Sequence, residues 1–241
     1  MGLLADQVIV VTGASEGIGR EMVKLFVREG ARVAAVARRR EVLEALAAEV
    51  DGDRVHPLPA DVRRLPEMEA AVRQTLERWG RIDALVNNAG VAKYVHLVEM
   101  SAEEFQWQLD VNLTGLFNGC KAVLPHLLER ARSTDERPAG QILNIGSILG
   151  TVGRAGGTAY CATKWGLMGF TESLRLEVQK EGIRVMALCP GQVQTDFAGI
   201  AAETKAKALR ADTVALQALQ MLAAPPDGQP GTVLLRPFHQ A

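Results

Sequence analysis

The stretch Val8-Ile9-Val10-Val11-Thr12-Gly13-Ala14-Ser15-Glu16-Gly17-Ile18-Gly19-Arg20 carries an unbroken apolar run into three glycines, and Met22, Leu25 and Phe26 follow at helical spacing. A buried strand, a glycine-rich turn and a helix N-terminus in that order form a cradle for phosphate. Free backbone N–H groups and the positive end of the helix dipole both face an anion there. Gly13 permits the tight turn, and Gly17 and Gly19 let backbone and helix come close to a pyrophosphate. The spacing is G-x3-G-x-G rather than G-x-G-x-x-G, so the loop alone also reads as an ordinary strand-to-helix turn.

Working outward, strand-like apolar runs recur at Gln7 to Val11, Arg32 to Val36, Arg54 to Leu58, Ala84 to Asn87, Gln141 to Ile145, Arg184 to Leu188 and Thr232 to Leu235. Helix-period segments separate them, among them Val42, Leu46, Val50 and Met68, Val72, Leu76, Trp79. Runs apolar on both faces belong to strands covered on both sides, so the pattern predicts an α/β fold, an open parallel sheet of about seven strands with helices on both faces. Ser133 to Gly140 and Pro225 to Gly231 read as loops too short to part domains, and no repeat appears. One domain over 1–241 is expected.

Lys and Arg number 27 against 28 Asp and Glu, a formal charge of -1, which gives no global basic field for a nucleic acid. The longest apolar runs fall far below the ~20 residues of a membrane span. The start, Met1 to Gln7, lacks the positive segment of a cleavable signal, so a cytoplasmic location is expected. Cys120, Cys161 and Cys189 are scattered and odd in number, which reads as buried reduced thiols and no metal site.

At the end of the second strand stands Val36-Ala37-Arg38-Arg39-Arg40. An acid there would bind the adenosine ribose hydroxyls, whereas arginine accommodates a 2'-phosphate. Arg38 therefore points to NADP(H), with NAD(H) the alternative. Arg39 and Arg40 also read as a solvated cluster, and Glu16 in the glycine loop opposes a phosphate nearby.

Tyr160 and Lys164 lie four apart in a helical pattern from Thr158 to Lys180 and share a face. A phenol titrates near 10, and bringing it to neutral pH takes about 4 kcal/mol of electrostatic help, of the sign a nearby cation supplies. Taken with Thr12 to Gly19, Asn87-Asn88-Ala89-Gly90, Asn112, Ser147 and Pro190-Gly191, all in order, this pair makes the chain resemble the short-chain dehydrogenase/reductase family from Val8 to about Thr195.

That resemblance implies a Rossmann-like doubly wound sheet and hydride transfer between a nicotinamide and a carbonyl or alcohol: a ketone, an aldehyde or a 3-oxoacyl/3-hydroxy compound. Tyr160 would be the general acid or base, and Lys164 would bind the nicotinamide ribose and lower the phenol. Ser147 would polarise the substrate oxygen, and Asn112 would hold a relay water. Cofactor contacts carry over to Gly13, Ser15, Gly17, Ile18, Gly19, Arg38, Asp61, Val62, Asn88, Ala89, Gly90, Tyr160, Lys164, Pro190, Gly191, Val193 and Thr195. In isolation Ser147 also reads as a helix cap and Asn112 as a helix-interior residue.

Residues from 195 to 210 read as a short substrate lid whose Lys205 and Lys207 are expected to be solvated, with contact to an acid the alternative. Val91, Leu149, Gly150, Gln192 and Phe197 are expected to line an apolar pocket, with no arginine aimed at a substrate carboxylate. The patterns over Ala102 to Arg130 and Thr158 to Lys180 carry apolar residues on several faces, including Trp107, Phe117, Trp165 and Phe170. The family implies a homodimer or homotetramer built on them; full cover by the sheet is the alternative. Two other functions stay open: an NAD-dependent dehydrogenase working oxidatively, and a dinucleotide sensor without catalysis. The ending Gly231 to Phe238 departs from the Val-Asp-Gly-Gly finish of many family members.

Overall fold

The computed structural model describes residues 2–238. Seven strands, β1 (Val8–Thr12), β2 (Arg32–Ala37), β3 (Val55–Pro59), β4 (Ala84–Asn87), β5 (Gly140–Ile145), β6 (Ile183–Pro190) and β7 (Thr232–Leu235), form one sheet in the order β3-β2-β1-β4-β5-β6-β7. Every pairing is parallel. The chain starts at the centre, runs out to β3, returns to place β4 beside β1 and then runs out to β7. The direction of winding reverses between β1 and β4, the point where open sheets of this kind bind ligands.

Helices α1 (Gly17–Arg28), α2 (Arg40–Glu49), α3 (Leu65–Trp79), α4 (Ala102–Leu109), α5 (Gly115–Ser133), α6 (Thr158–Val178) and α7 (Ala211–Leu222) cover both faces. Side chains alternate across a strand, so each face receives its own core. Ile9, Val11, Val33 and Ala35 meet Met22 and Phe26 of α1, Leu43 of α2 and Val214 of α7. Val8, Val10, Ala34 and Val36 meet Met68 of α3, Val123 and Leu127 of α5 and Leu167 of α6. The three cysteines are free and buried.

Three local features add detail to the sequence expectation. The helical pattern from Ala102 to Arg130 is not continuous: a π-turn, Asp110–Thr114, stands between α4 and α5. It inserts one residue into the helical ladder and re-aims the side chains around it. In β6, Arg184 is buried within an otherwise apolar strand, and its guanidinium donates to Gln141 Oε1 at 3.2 Å, Pro225 O at 2.7 Å and Gly228 O at 2.6 Å. The loop before β7 is thus anchored from inside the sheet. The segment after Thr195 consists of two short 3-10 turns, Phe197–Gly199 and Ala202–Lys205, and Val193 pairs with Leu209.

Candidate active site

A cleft of about 940 Å³ opens along the carboxyl ends of the strands, from Arg38 and Asp61 at one end to Tyr160 and Phe197 at the other. The loop after β1 forms its floor. Gly13 and Gly17 adopt φ of +65° and +54°, where other residues are strained. Asn88 binds this loop to the end of β4: its Nδ2 donates to the carbonyls of Thr12 at 3.0 Å and Gly13 at 3.1 Å. Thr12 Oγ1 in turn accepts from the backbone N–H groups of Asn88 and Ala89, at 3.0 and 3.1 Å. Glu16, which precedes α1, makes no side-chain cap, so no carboxylate occupies the first N–H groups of the helix. A glycine-shaped loop, an uncapped helix start and an arginine beside them fit a dinucleotide pyrophosphate.

Of the residues expected to contact a dinucleotide, all but Gly19 line the cleft. Gly19 stands one layer behind the wall: a Cβ there would lie 2.1 Å from Gly13 O, so its role is the close packing of α1 against the loop. Arg38 lines the same end of the cleft as Asp61. Arg39 donates to Glu16 Oε2 at 2.6 Å and Ser15 Oγ at 3.2 Å, so the loop carboxylate has a cationic partner and Arg39 is not merely solvated. Asp61 is held by Arg63 at 2.9 Å, and that pairing keeps its carboxyl below the usual range.

At the other end, Tyr160 and Lys164 occupy the first two turns of α6, both buried. Lys164 Nζ donates to Ile145 O at 2.9 Å and lies 5.6 Å from the centre of the Tyr160 ring. Ser147 Oγ accepts from Leu149 N at 3.1 Å, so it caps a short turn and keeps its own proton to donate. The fourth residue, Asn112, does not line the cleft. It sits in the π-turn behind Gly90, where its Oδ1 accepts from Val91 N at 2.8 Å and its Nδ2 donates to Val91 O at 2.9 Å and Thr163 Oγ1 at 3.0 Å. Both amide hydrogens are spent, and Oδ1 keeps one lone pair.

The expectation that Lys164 lowers the Tyr160 phenol is not met in this structure. Burial pushes the phenol well above its ordinary value, the nearby Tyr94 adds to the rise, and the Ser147 hydroxyl offsets only part of it. The ring is walled by Tyr94 and Phe197, each with its ring centroid 5.8 Å away. Burial also brings the Lys164 ammonium down to about 8.

Val91, Leu149, Gln192 and Phe197 line the cleft as expected. Gly150 does not, because it packs against the Lys164 carbonyl, 2.8 Å from where its Cβ would be. Lys205 is buried rather than solvated and donates to the carbonyls of Thr195 and Phe197, which ties the lid to the cleft wall; Lys207 is exposed. Trp107 lines the cleft and Phe170 packs on the core, while Phe117 and Trp165 remain exposed on α5 and α6, uncovered by the sheet. The sequence reading missed Tyr94, whose ring lies against Tyr160, and Arg154, whose guanidinium lies over Tyr94. Their loops have no period to mark them.

The model of the family described as short chain dehydrogenase matches residues 7–206. This chain is a short-chain dehydrogenase. It is 39% identical over 201 residues, 82% of this chain and 73% of the relative, to the oxidoreductase UcpA of Salmonella typhimurium. It is 35% identical over 194 residues, 80% of this chain and 76% of the relative, to the 3-oxoacyl-acyl-carrier-protein reductase FabG of Thermotoga maritima. Among solved structures it resembles an alcohol dehydrogenase from Thermococcus sibiricus complexed with 5-hydroxy-NADP, with a TM-score of 0.89, 30% identity and 98% of each chain covered. A 3-ketoacyl-acyl-carrier-protein reductase from Brucella melitensis complexed with NADH matches with the same TM-score, 29% identity and 98% of each chain covered. The short-chain dehydrogenase described here is accordingly an oxidoreductase acting on CH–OH or carbonyl groups with a nicotinamide dinucleotide. No helix among its described residues is long and apolar enough to cross a membrane.

Proposed function

We propose that this enzyme is an NADP(H)-dependent reductase of ketones, aldehydes or 3-oxoacyl compounds. The observation that carries the cofactor choice is at the adenosine end. Arg38 lines the cleft without an ion pair to any described carboxylate; of the carboxylates at this end, Glu16 is occupied by Arg39 and Asp61 by Arg63. Gly13, Ser15, Gly17 and Ile18 receive the pyrophosphate, with Gly19 packing α1 behind them. Asp61, Val62 and Asn88 to Gly90 border the adenosine. Pro190, Gly191, Val193 and Thr195 border the nicotinamide.

The nicotinamide supplies the hydride. Tyr160 gives its phenol proton to the substrate oxygen as the carbonyl is reduced, and Ser147 donates a hydrogen bond to that same oxygen. A neutral, buried phenol suits the acid role. Lys164 holds the cofactor ribose, and the remaining Oδ1 lone pair of Asn112 holds a water that refills the proton. The same clamp on Val91 sets the wall of the pocket.

The chain works as one unit with residues 195–210 as its lid. A homodimer or homotetramer forms through the exposed Phe117, Trp165 and Leu176, and the enzyme acts in the cytoplasm. The test is a screen of ketones, aldehydes and 3-oxoacyl thioesters by loss of NADPH absorbance, with Tyr160→Phe alongside. Turnover by the wild type that falls at least about 100-fold in the variant is expected. Retained turnover in Tyr160→Phe would remove the assigned acid.

A further inference from the structure

Four arginines line the cleft, and two are tied to carboxylates of the chain: Arg39 to Glu16 and Arg63 to Asp61. Arg38 and Arg154 make no ion pair with a described residue. Arg38 has a role above; Arg154, at the opposite end, has none.

Its position is built rather than incidental. Gly157 N donates to Arg154 O at 3.0 Å, and Val95 N donates to Gly156 O at 2.8 Å, which latches the loop of Arg154 to the segment of Tyr94. The guanidinium carbon lies 4.2 Å from the centre of the Tyr94 ring, and that ring is 5.8 Å from the Tyr160 ring. These two contacts hold the charge within about 10 Å of the catalytic ring. The guanidinium sits over the Tyr94 ring, and its fork of donors makes no hydrogen bond to another described residue. Such a fork matches a carboxylate with two parallel hydrogen bonds.

The surroundings favour an anion with a short apolar body. Val91, Trp107, Leu149 and Phe197 line the same cleft, and the Phe197 ring lies against Tyr160. The one carboxylate lining this end, Asp196, accepts from Ala202 N at 3.0 Å and lies in the field of Lys205.

We propose that Arg154 binds a carboxylate on the substrate, which makes short oxo acids, and hydroxy acids in the reverse direction, the preferred substrate class. The proposal rests on the reading of Tyr160 as the acid at the carbonyl.

The experiment compares a homologous series of straight-chain oxo acids with their methyl esters, using wild type and Arg154→Met and NADPH as reductant. For wild type, kcat/KM of the best acid exceeds that of its ester by about tenfold or more, the size of a charge-assisted pair. In Arg154→Met the ratio falls to near one, chiefly through a raised KM for the acid, and Arg154→Lys recovers part of it. Melting curves and NADPH titration of both variants confirm the fold. An acid-to-ester ratio near one in wild type, or one unchanged in Arg154→Met, overturns the proposal. Reduction of neutral ketones or 3-oxoacyl thioesters without any preference for acids also overturns it and leaves the reductase reading standing. If neither acids nor neutral carbonyl compounds consume NADPH, the reductase reading falls and the proposal with it.

Discussion

Lys164 brings its ammonium to 5.6 Å from the centre of the Tyr160 ring yet spends a hydrogen bond on the Ile145 carbonyl. The cation is therefore near the phenol without dominating it, and burial decides both groups: Tyr160 is held up and Lys164 comes down to about 8. A phenol held up is an acid at neutral pH and a base only when forced. Carbonyl reduction should be flat across neutral pH and fall as Lys164 loses its proton above about 8. Alcohol oxidation should climb steadily with pH through the same range. Paired profiles of kcat/KM in the two directions check this, and an oxidation optimum below neutrality would contradict it.

The same burial has a stability consequence. Lys164 titrates near 8 when folded and at its ordinary 10.5 when unfolded, so between these values the unfolded chain holds more protons and stability rises with pH. Tyr160 acts in the opposite sense above its ordinary value but is shared by wild type and Lys164→Met. Their difference in unfolding free energy should shift in favour of wild type by about 3 kcal/mol from pH 8 to 10.5, at 1.36 kcal/mol per pH unit. Urea denaturation of both proteins across that window measures it; a flat difference would mean the ammonium is not desolvated.

Arg38→Ala should weaken NADPH binding by about 10- to 100-fold, the worth of a charge-assisted contact of about 1.5–3 kcal/mol, and leave NADH affinity nearly unchanged. Fluorescence titration with each nucleotide gives the ratio.

Glycine positions divide sharply. Gly19→Ala puts a Cβ 2.1 Å from Gly13 O, so the loop must shift and nucleotide affinity should fall at least about tenfold. Gly169, within α6, has nothing within 4 Å of a Cβ, and Gly169→Ala should raise stability by about 0.5–1 kcal/mol through helix propensity alone. Thermal melts and nucleotide titration of both variants separate the two.

Arg184→Leu leaves the buried amide oxygen of Gln141 and the part-buried carbonyls of Pro225 and Gly228 without their donor. A loss of about 2–4 kcal/mol in unfolding free energy is expected from urea curves.

The strands were legible because buried parallel strands need continuous apolar runs, and all seven lie within one or two residues of the sequence reading, as with Ala84–Asn87. The glycine loop, Arg38 and the Tyr160 to Lys164 pair were legible because their order and spacing along the chain place them at strand ends. Arg154 and Tyr94 were not, since only the latch between their loops, Val95 N to Gly156 O, brings them to the catalytic end. The π-turn at Asn112 leaves no periodic trace, and the burial of Lys205 depends on where the carbonyls of Thr195 and Phe197 fall in three dimensions. The rise of the Tyr160 phenol is not legible for a related reason: sequence shows the neighbouring cation, while the aromatic walls around the phenol come from distant segments.

The most direct test of the account is equilibrium titration of the purified protein with NADPH and, separately, NADH, followed by nicotinamide fluorescence. NADPH should bind tighter by at least about tenfold, through the Arg38 guanidinium. Equal affinities, or a preference for NADH, would contradict it.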